Sequence, residues 1–384
     1  MKEKTNVGAR KPRVAVLSTV RLSSQDGLPT GKEARVLEEQ FSMAKRYGIS
    51  MFIFHWDRVS WLKRSIKGYT YISGVEKTGH WVRKTFAFPD VVYNRIRSRK
   101  IENLSAVKQL LNKFDHDPDI HLFNSRFLDK WEVYEVLANN PLTSGMVPPT
   151  RLLSSVDLEG FLDTYSEVFI KPRNNNAGRG IIKVVQKSSN IYFCHAESPS
   201  PQWHTCSSFY DLYRQLSTTI KKPGNYMVQT GLDLAKLNGR VFDARAQVQK
   251  NGNGQWVFTG ITVRVATRNR FVTYDKYSLN KSVSFTKAIA KVTRGAEATK
   301  ASINTQLQDL YNLVPRVLEK DMGLSLAVLS IDIGIDSHGK VWIIEVSSKS
   351  DSFTEKYIKA KHLRYLMEYF IYISRNNPQK PPNY

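Results

Sequence analysis

The sequence predicts a protein of mixed fold class, with an α/β domain at the N-terminus and a larger α+β part after it. Three observations predict this: a strand, helix and strand in succession near the N-terminus, two strands around a glycine-containing loop in the middle, and an acidic hairpin near the C-terminus. A chain of 384 residues has room for two or three domains. Its 41% hydrophobic and 11% aromatic residues are enough for buried cores.

The N-terminal unit begins with an apolar strand from Val14 to Val20. A helix follows, because apolar residues recur at helical spacing before Tyr47 and Gly48 end it. The segment from Met51 to Phe54 is the next strand. The apolar residues of the helix are Ala34, Val36, Leu37, Phe41 and Ala44.

The C-terminal hairpin is the most informative feature. The segments 330–336 and 341–345 read as two strands around the turn 337–340. A two-residue loop at 338–339 or a four-residue loop at 337–340 gives the same register, which places Asp332 opposite Glu345. Cross-strand Cβ atoms lie about 4.5 to 5.5 Å apart, so the two carboxylates need a positive charge between them. A divalent cation would supply it, and a solvated acidic edge is the alternative.

A second pattern lies in the middle of the chain. A short strand, 169–172, carries Lys171 near its end, and a loop with Gly178, Arg179 and Gly180 separates it from the strand 181–185. Glycines allow positive φ and close backbone approach, so such a loop can fold over phosphates. It lacks the Gly-Lys-Ser/Thr pattern of a P-loop.

The order of these segments resembles the ATP-grasp superfamily, in which two α+β subdomains hold MgATP between them. Within it, the chain resembles the YheC/YheD group of endospore coat-associated proteins. Further segments support this: 90–95, 240–245 with 249–252, and 256–264. The similarity extends over about residues 13–374. It implies an N-terminal pre-ATP-grasp α/β domain followed by a two-subdomain ATP-grasp fold.

The resemblance implies specific site residues. Lys130, which follows Asp129 at a helix start, and Lys171 match the two nucleotide lysines, and 147–150 matches the Pro-x-Thr element between them. The strand 226–229 matches the one whose backbone reads the adenine edge. The residues implied for nucleotide binding are Lys130, Lys171, Asn176, Gly178, Arg179, Gly180, Gln229 and Leu232, and those implied for the metal are Asp332, Glu345 and Ser347.

Arg245 and Arg264 are candidate catalytic residues, because a guanidinium fork matches the geometry of a phosphate. They could bind the γ-phosphate or an acyl phosphate. A structural ion pair with Asp243 is the alternative. For Lys130, taken alone, the alternative is a solvated surface lysine.

Two departures from the family pattern concern the site. Ser347 stands where the family has an asparagine in the metal shell, although its hydroxyl has the same parity as Glu345 and could ligate or hold a water. The second departure is the stretch 264–300, where the related group has a glycine- and asparagine-containing segment. Here it has nine Lys or Arg against two acidic residues, which suggests an acidic acceptor.

The implied function is ATP-dependent ligation through an acyl phosphate on a carboxylate substrate, with ATP and Mg²⁺, or Mn²⁺ in its place. Phosphoryl transfer to another acceptor stays open, and so does a structural role in the spore coat without turnover. The expected partners are MgATP, an acidic small molecule, peptide or cell-wall fragment, and spore coat proteins. The expected parts are a basic tail (1–12), the pre-ATP-grasp domain (13–116), two ATP-grasp subdomains (117–225 and 226–374) and a disordered tail (375–384).

The formal net charge of +23 raises the question of nucleic-acid binding. The charge is spread along the chain, and no nucleic-acid motif accompanies it, so binding to acidic surfaces or polymers is the preferred interpretation. We expect cytoplasmic synthesis and possible coat association, since the sequence shows neither a signal peptide nor a transmembrane segment. The two cysteines lack zinc or redox spacing, which fits a reduced compartment.

Overall fold

A computed structural model describes residues 10–74, 79–175, 178–188, 190–197, 202–273, 283–349, 353 and 355–376. The expected disordered tail therefore lies outside the described residues except for 375 and 376, and the expected basic tail except for 10–12. Three sheets make up the framework, and their helices cover them on the faces where apolar residues accumulate.

The N-terminal sheet has the order β3-β4-β2-β1-β6-β7, with β5 paired to β4. Its central strands run parallel, and α1 forms the crossover from β1 to β2, so the predicted strand, helix and strand are confirmed. The elements are β1 (Arg13–Ser18), α1 (Gly31–Arg46), β2 (Ser50–Phe54), β3 (Val59–Ser60), β4 (Ser65–Ser73), β5 (Gly79–Ala87), β6 (Val91–Arg95), α2 (Arg99–Glu102), α3 (Ser105–His116) and β7 (His121–Phe123).

The middle sheet is antiparallel, in the order β12-β11-β10-β9-β13-β8. Its apolar face packs against α5 and α6 around Val168, Ile170 and Leu212. The predicted strands on either side of the glycine loop are present. The elements are α4 (Lys130–Asn139), β8 (Thr150–Leu152), α5 (Ser155–Thr164), β9 (Glu167–Pro172), β10 (Ile182–Lys187), β11 (Asn190–His195), β12 (His204–Cys206), α6 (Phe209–Thr219) and β13 (Tyr226–Thr230).

The C-terminal sheet is also antiparallel, in the order β14-β15-β17-β18 with β16 on the other side of β15. Leu307, Leu310 and Val314, which recur at helical spacing in α8, are buried against it and form part of its core. The elements are β14 (Lys236–Leu237), β15 (Arg240–Lys250), β16 (Trp256–Val265), α7 (Phe285–Val292), α8 (Glu297–Asp321), β17 (Val328–Ile335), β18 (Val341–Ser347) and α9 (Lys356–Arg375).

Helix α9, near the C-terminus, packs against the N-terminal domain. Its buried residues Leu366 and Phe370 lie in the same core as Val14 and Val16 of β1 and Leu37 of α1. The same helix contacts β15 and β16 of the C-terminal sheet. The N-terminal and C-terminal sheets are thereby held on either side of one helix, and a cleft opens where both of them face the middle sheet.

Candidate active site

The hairpin of β17 and β18 places Asp332 opposite Glu345, and the predicted register is confirmed. The predicted turn is wrong. The last pair is Ile335 with Val341, so five residues, 336–340, form the connection, which includes Gly339 at φ +82°. That connection alone would place Asp332 opposite residue 344. A bulge in β18 between positions 343 and 345 restores the pairing with Glu345.

Asp332 is held by arginines from two neighbouring strands. Its Oδ1 accepts a hydrogen bond from Nε of Arg245 at 2.7 Å, and its Oδ2 accepts one from the same guanidinium at 2.8 Å. Arg245 lies directly opposite Asp332 in the β15–β17 register. A nitrogen of Arg264 lies 3.0 Å from Oδ2. Burial raises the pKa of Asp332, but the two arginines outweigh it and hold that pKa well below its usual range.

The second carboxylate of this cluster is Asp243. It lies opposite Arg264 in the β15–β16 register and accepts two hydrogen bonds of 2.7 Å from it. The Thr273 hydroxyl also donates to Asp243. The ion pair named as the alternative for Arg264 is therefore present. Both arginines nevertheless line the cleft, so each can also meet a ligand.

Glu345 is the more accessible of the two hairpin carboxylates, with 32% of its side chain exposed. The ammonium of Lys130 lies 3.5 Å from its Oε1. Ser347 follows on the same face, also lines the cleft, and accepts a hydrogen bond from the Lys349 amide at 3.3 Å. Two carboxylates and a hydroxyl thus face one region. Within the described part of the chain, no cluster of three His, Cys, Asp or Glu residues could by itself hold a metal ion.

Lys171 lines the cleft from β9, and Lys130 lies beside Glu345 at the start of α4. The Lys171 ammonium donates to the Gln229 side chain at 2.5 Å, and Gln229 in turn donates to the Thr150 hydroxyl at 2.9 Å. Burial lowers the pKa of Lys171 to about 8; Glu345 opposes the shift and Lys130 adds to it. Lys130 begins α4, and its ammonium donates to the backbone carbonyl of Asn175. The charge of Lys130 is therefore fixed beside the glycine loop.

The glycine loop has the backbone that its sequence predicts. Gly178 and Gly180 have φ of +70° and +75°, a region that other residues avoid. A Cβ on Gly180 would lie 3.0 Å from Cγ of Pro172, so the loop also packs closely on β9. Gly178 and Arg179 line the cleft. Asn176 lies outside the described residues.

The implied reading of an adenine by the backbone of residues 226–229 needs correction. Strand β13 lies between β8 and β9, and residues 227–229 pair with both. Their backbone groups are therefore already used by the sheet. Gln229 contributes its side chain instead, as the partner of Lys171. The chain leaves the sheet at 231–233, where Gly231 and Leu232 line the cleft.

The wall that the N-terminal domain contributes to the cleft was not singled out from the sequence. It consists of Arg97, Arg99 and Lys100, and Lys349 lies beside it at the end of β18. A signal was present, because four of the seven residues 94–100 are Lys or Arg. Its position at the cleft depends on which edge of the N-terminal sheet faces the other two sheets, and a basic run does not carry that information.

The cleft has a volume of about 1330 Å³. Ligand pockets usually measure about 300 to 1,000 Å³, so this one has room for a nucleotide and a second substrate. Apolar surface for a planar ring comes from Phe169, Phe271 and Leu232, and the charged groups described above lie on the remaining walls.

A family model described as "YheC/D like ATP-grasp" matches residues 119–373, which is more than half of the chain. The chain belongs to the YheC/D-like ATP-grasp family. Two curated relatives come from Bacillus subtilis (strain 168). The endospore coat-associated protein YheD is 27% identical over 78% of this chain and 64% of its own length, so the chain spans less than two thirds of that relative. The endospore coat-associated protein YheC is 22% identical over 83% of this chain and 85% of its own length.

Solved structures place this YheC/D-like chain among ATP-grasp folds. The D-cycloserine synthetase DcsG superposes with a TM-score of 0.52 at 13% identity, covering 93% of this chain and 99% of that one. The VanG D-Ala:D-Ser ligase from Enterococcus faecalis gives 0.51 at 12% identity, with coverages of 95% and 100%. At these identities the likeness concerns the fold, and the expected ATP-grasp architecture is confirmed. No described helix is both long and apolar enough to cross a membrane.

Proposed function

We propose that this YheC/D-like protein binds MgATP in the cleft and uses it to join a carboxylate-bearing substrate to an amine or another nucleophile. The observation that carries the proposal is that Lys171 and the Asp332–Glu345 pair line one cleft, that Lys130 lies 3.5 Å from Glu345, and that a loop with two glycines at positive φ lies beside them. Lysine charges and a flexible backbone suit phosphates, and carboxylate oxygens suit a hard cation.

The donor set fits a magnesium ion. Mg²⁺ is usually bound by one or two carboxylates together with phosphate oxygens and water. Glu345 and Asp332 would supply the carboxylates, and the Ser347 hydroxyl would hold a water or ligate directly. When bound, the ion would neutralise phosphate charge and hold the phosphate chain in place.

The nucleotide would lie against the middle sheet. Lys130 and Lys171 would neutralise phosphate oxygens, and Gln229 would keep the Lys171 ammonium pointed into the cleft. Because β13 is paired on both sides at 227–229, the base would meet the chain just beyond it, where Leu232 offers an apolar contact.

In the proposed reaction, a carboxylate oxygen of the acceptor attacks the γ-phosphorus of ATP. The bond from this phosphorus to the bridging oxygen breaks, and ADP leaves with the electron pair. The amine then attacks the carbonyl carbon of the acyl phosphate, inorganic phosphate leaves, and the amine loses a proton. Arg245 and Arg264 would stabilise the charge on the transferred group. A side-chain nucleophile is not needed.

A coat component that binds nucleotide without turnover is the second candidate. Two observations favour it: Ser347 replaces the family asparagine, and both oxygens of Asp332 are engaged by guanidiniums. Association with a spore coat is itself a proposal that rests on the names of the relatives. ADP release in the presence of an acceptor would separate the enzyme from the structural protein.

The first test is isothermal titration with a non-hydrolysable ATP analogue, with and without Mg²⁺. We expect binding that depends on Mg²⁺ and that Glu345→Gln weakens about tenfold or more, which corresponds to about 1.4 kcal/mol. Glu135→Gln is the matched control, because Glu135 is exposed on α4 and does not line the cleft. Absence of binding by the folded wild-type protein would exclude the ligase proposal.

A further inference from the structure

One wall of the cleft is basic, and the proposed nucleotide chemistry does not use it. Arg97, Arg99 and Lys100 lie between β6 and the end of α2, on the N-terminal domain. Lys349 joins them from the C-terminal sheet. This wall comes from elements other than the loop and the lysine of the middle sheet, so its charge requires a separate explanation.

The side chains of this wall are held in place by packing. Two cations lie near the ring of Phe127, with the Arg99 guanidinium 4.6 Å and the Lys349 ammonium 5.2 Å from its centre. Arg99 also donates to the Leu128 carbonyl at 2.6 Å, and Lys349 donates to the buried carboxylate of Glu102 at 2.5 Å. Cations fixed in this way lose little side-chain entropy when they bind a ligand.

Strand β18 connects the wall to the Asp332–Glu345 pair. Glu345, Ser347 and Lys349 are two residues apart, and all three line the cleft. Lys349 lies two residues beyond the end of β18, and four residues of chain span at most roughly 13 Å, so a second group of the same ligand can reach the wall from Glu345. An acceptor held next to Glu345 would extend along this row toward the wall.

The charge balance of the cleft favours an acceptor with several negative charges. Among its described lining residues, ten are Lys or Arg and five are Asp or Glu. Four of the five acids have basic partners: Glu167 with Lys183, Asp243 with Arg264, Asp332 with Arg245, and Glu345 with Lys130. Lys349 is paired with Glu102. The described lining as a whole carries twice as many basic as acidic side chains, and the wall contributes four of the ten basic ones.

We propose that the acceptor carries at least two carboxylates, as a short acidic peptide does, and that one is activated beside Arg264 while another binds the wall of Arg97, Arg99, Lys100 and Lys349. This inference rests on the proposed function and specifies its substrate class. The sequence suggested that the stretch 264–300 recognises the acidic acceptor, and part of that stretch lies outside the described residues. The proposal assigns this recognition mainly to the N-terminal domain instead.

The test compares tri-glutamate with tri-alanine. The two peptides share backbone length and terminal charges and differ by three carboxylates. Their affinities are measured by isothermal titration of the full chain, with the ATP analogue present and absent. We expect tri-glutamate to bind at least about tenfold more tightly than tri-alanine, with an affinity that falls as salt increases.

Lys100→Glu is the decisive variant, because Lys100 is exposed and lines the cleft. It should weaken tri-glutamate binding about tenfold, since a like charge then faces the ligand. The ATP analogue, which the wall does not contact in this proposal, should lose much less affinity than tri-glutamate does. Lys108→Glu, an identical charge reversal at an exposed position of α3 away from the cleft, is the control and should leave tri-glutamate binding unaltered.

The outcomes separate the two proposals. Equal affinity for the two peptides, or wild-type affinity of Lys100→Glu for tri-glutamate, overturns the acidic acceptor whatever the nucleotide does. Tri-glutamate binding that Lys100→Glu weakens supports the wall as an anion site, even if the ATP analogue fails to bind. Failure of the ATP analogue to bind would exclude the ligase proposal but not the anion site.

Discussion

At the scale of single residues, Asp332 has a structural role besides its proposed role in metal binding. Its carboxylate is the shared partner of Arg245 and Arg264, and it is largely buried. Removing one member of a buried ion pair leaves the others without compensation, which usually costs about 3 to 5 kcal/mol. A substitution at Asp332 therefore tests both properties at once.

We predict that Asp332→Asn lowers the free energy of unfolding by about 3 kcal/mol, because two guanidiniums lose their common counter-ion. Glu345→Gln should change it by less than about 1 kcal/mol, since Glu345 is more exposed and its one ion pair is 3.5 Å long. Urea denaturation of both variants measures this. Equal losses of stability would show that the arginines do not depend on Asp332. Because Glu345→Gln should leave the stability of the fold nearly unchanged, it is a better probe of nucleotide binding than Asp332→Asn.

The stability that Asp332 contributes should depend on pH in the acid range. Its pKa in the folded protein is held below the usual value, so the unfolded chain binds the proton more readily. The contribution is complete above the ordinary pKa of about 3.8 and is lost as the pH falls below it. Asp332→Asn should flatten the fall in unfolding free energy below about pH 4, as measured by denaturation at several pH values.

Lys171 gives a second prediction at this scale. With a pKa of about 8 it is charged at pH 7 and loses its proton as the pH rises through 8. The affinity for the ATP analogue should therefore fall by up to about tenfold between pH 7 and pH 9. Lys171→Arg keeps its charge throughout this range and should remove that dependence. A pH profile that is the same in both proteins would show that another group titrates.

The individual contacts of the site could be predicted from the sequence only in part. The hairpin predicted from the sequence paired Asp332 with Glu345 correctly, although it contained neither the five-residue connection nor the bulge that together produce this pairing. The link from Lys171 through Gln229 to Thr150 was not predictable, because it requires β9, β13 and β8 to be neighbours although they are far apart in sequence. Pairing between such strands depends on tertiary contacts that a single sequence does not display.

At the scale of elements, the bulges decide which face of a strand reaches the cleft. The five-residue connection shifts the pairing of β17 and β18 by one residue, and the bulge in β18 shifts it back. The shorter loops assumed from the sequence therefore predicted the correct pair, Asp332 and Glu345, although the loop itself was wrong. A second bulge lies in β15–β16, where Gln247 pairs with Gly260 and Val248 with Phe258. Neither bulge has a distinct sequence signal, and each follows from the packing of the sheet.

Gly260 provides a test of how closely α9 packs on the C-terminal sheet. A Cβ at this position would lie 2.6 Å from Cγ1 of Ile358, so Gly260→Ala should destabilise the protein by about 1 to 3 kcal/mol. Gly160→Ala is the matched control. Gly160 is exposed inside α5 with open space around it, so alanine there should stabilise by about 0.5 to 1 kcal/mol. Thermal unfolding of both variants should show shifts of opposite sign.

At the scale of the whole molecule, the order of segments along the chain predicted the ATP-grasp architecture, but the connections between its parts lay beyond the sequence. Strand β7 extends the N-terminal sheet to Phe123, and α9 packs into the core of the same domain although it lies at the other end of the chain. Apolar periodicity shows that a helix has a buried face. It does not show which sheet covers that face.

Asn124 is the clearest case of such a connection. It follows β7 and is fully buried, with φ of +50°. Its side-chain oxygen accepts from the amides of Ala327 and Val328 at 2.9 and 3.3 Å, and its nitrogen donates to the carbonyls of Val328 and Ser348 at 2.9 and 2.7 Å. One side chain thus satisfies backbone groups next to both strands of the hairpin that carries Asp332 and Glu345, and it ties them to the N-terminal sheet.

We predict that Asn124→Ala lowers the free energy of unfolding by about 4 kcal/mol, because several buried backbone groups lose their partners at about 1 to 3 kcal/mol each. Alanine at a positive φ adds about 1 kcal/mol. Asn124→Gly relieves only that strain, so it should lie about 1 kcal/mol above Asn124→Ala and well below the wild type in urea denaturation. If Asn124→Gly matched the wild type, the backbone conformation alone would explain the asparagine. The loss of unfolding free energy that Asn124→Ala and Asn124→Gly have in common measures how much the Asn124 side chain contributes to holding the N-terminal sheet against the hairpin of the proposed active site.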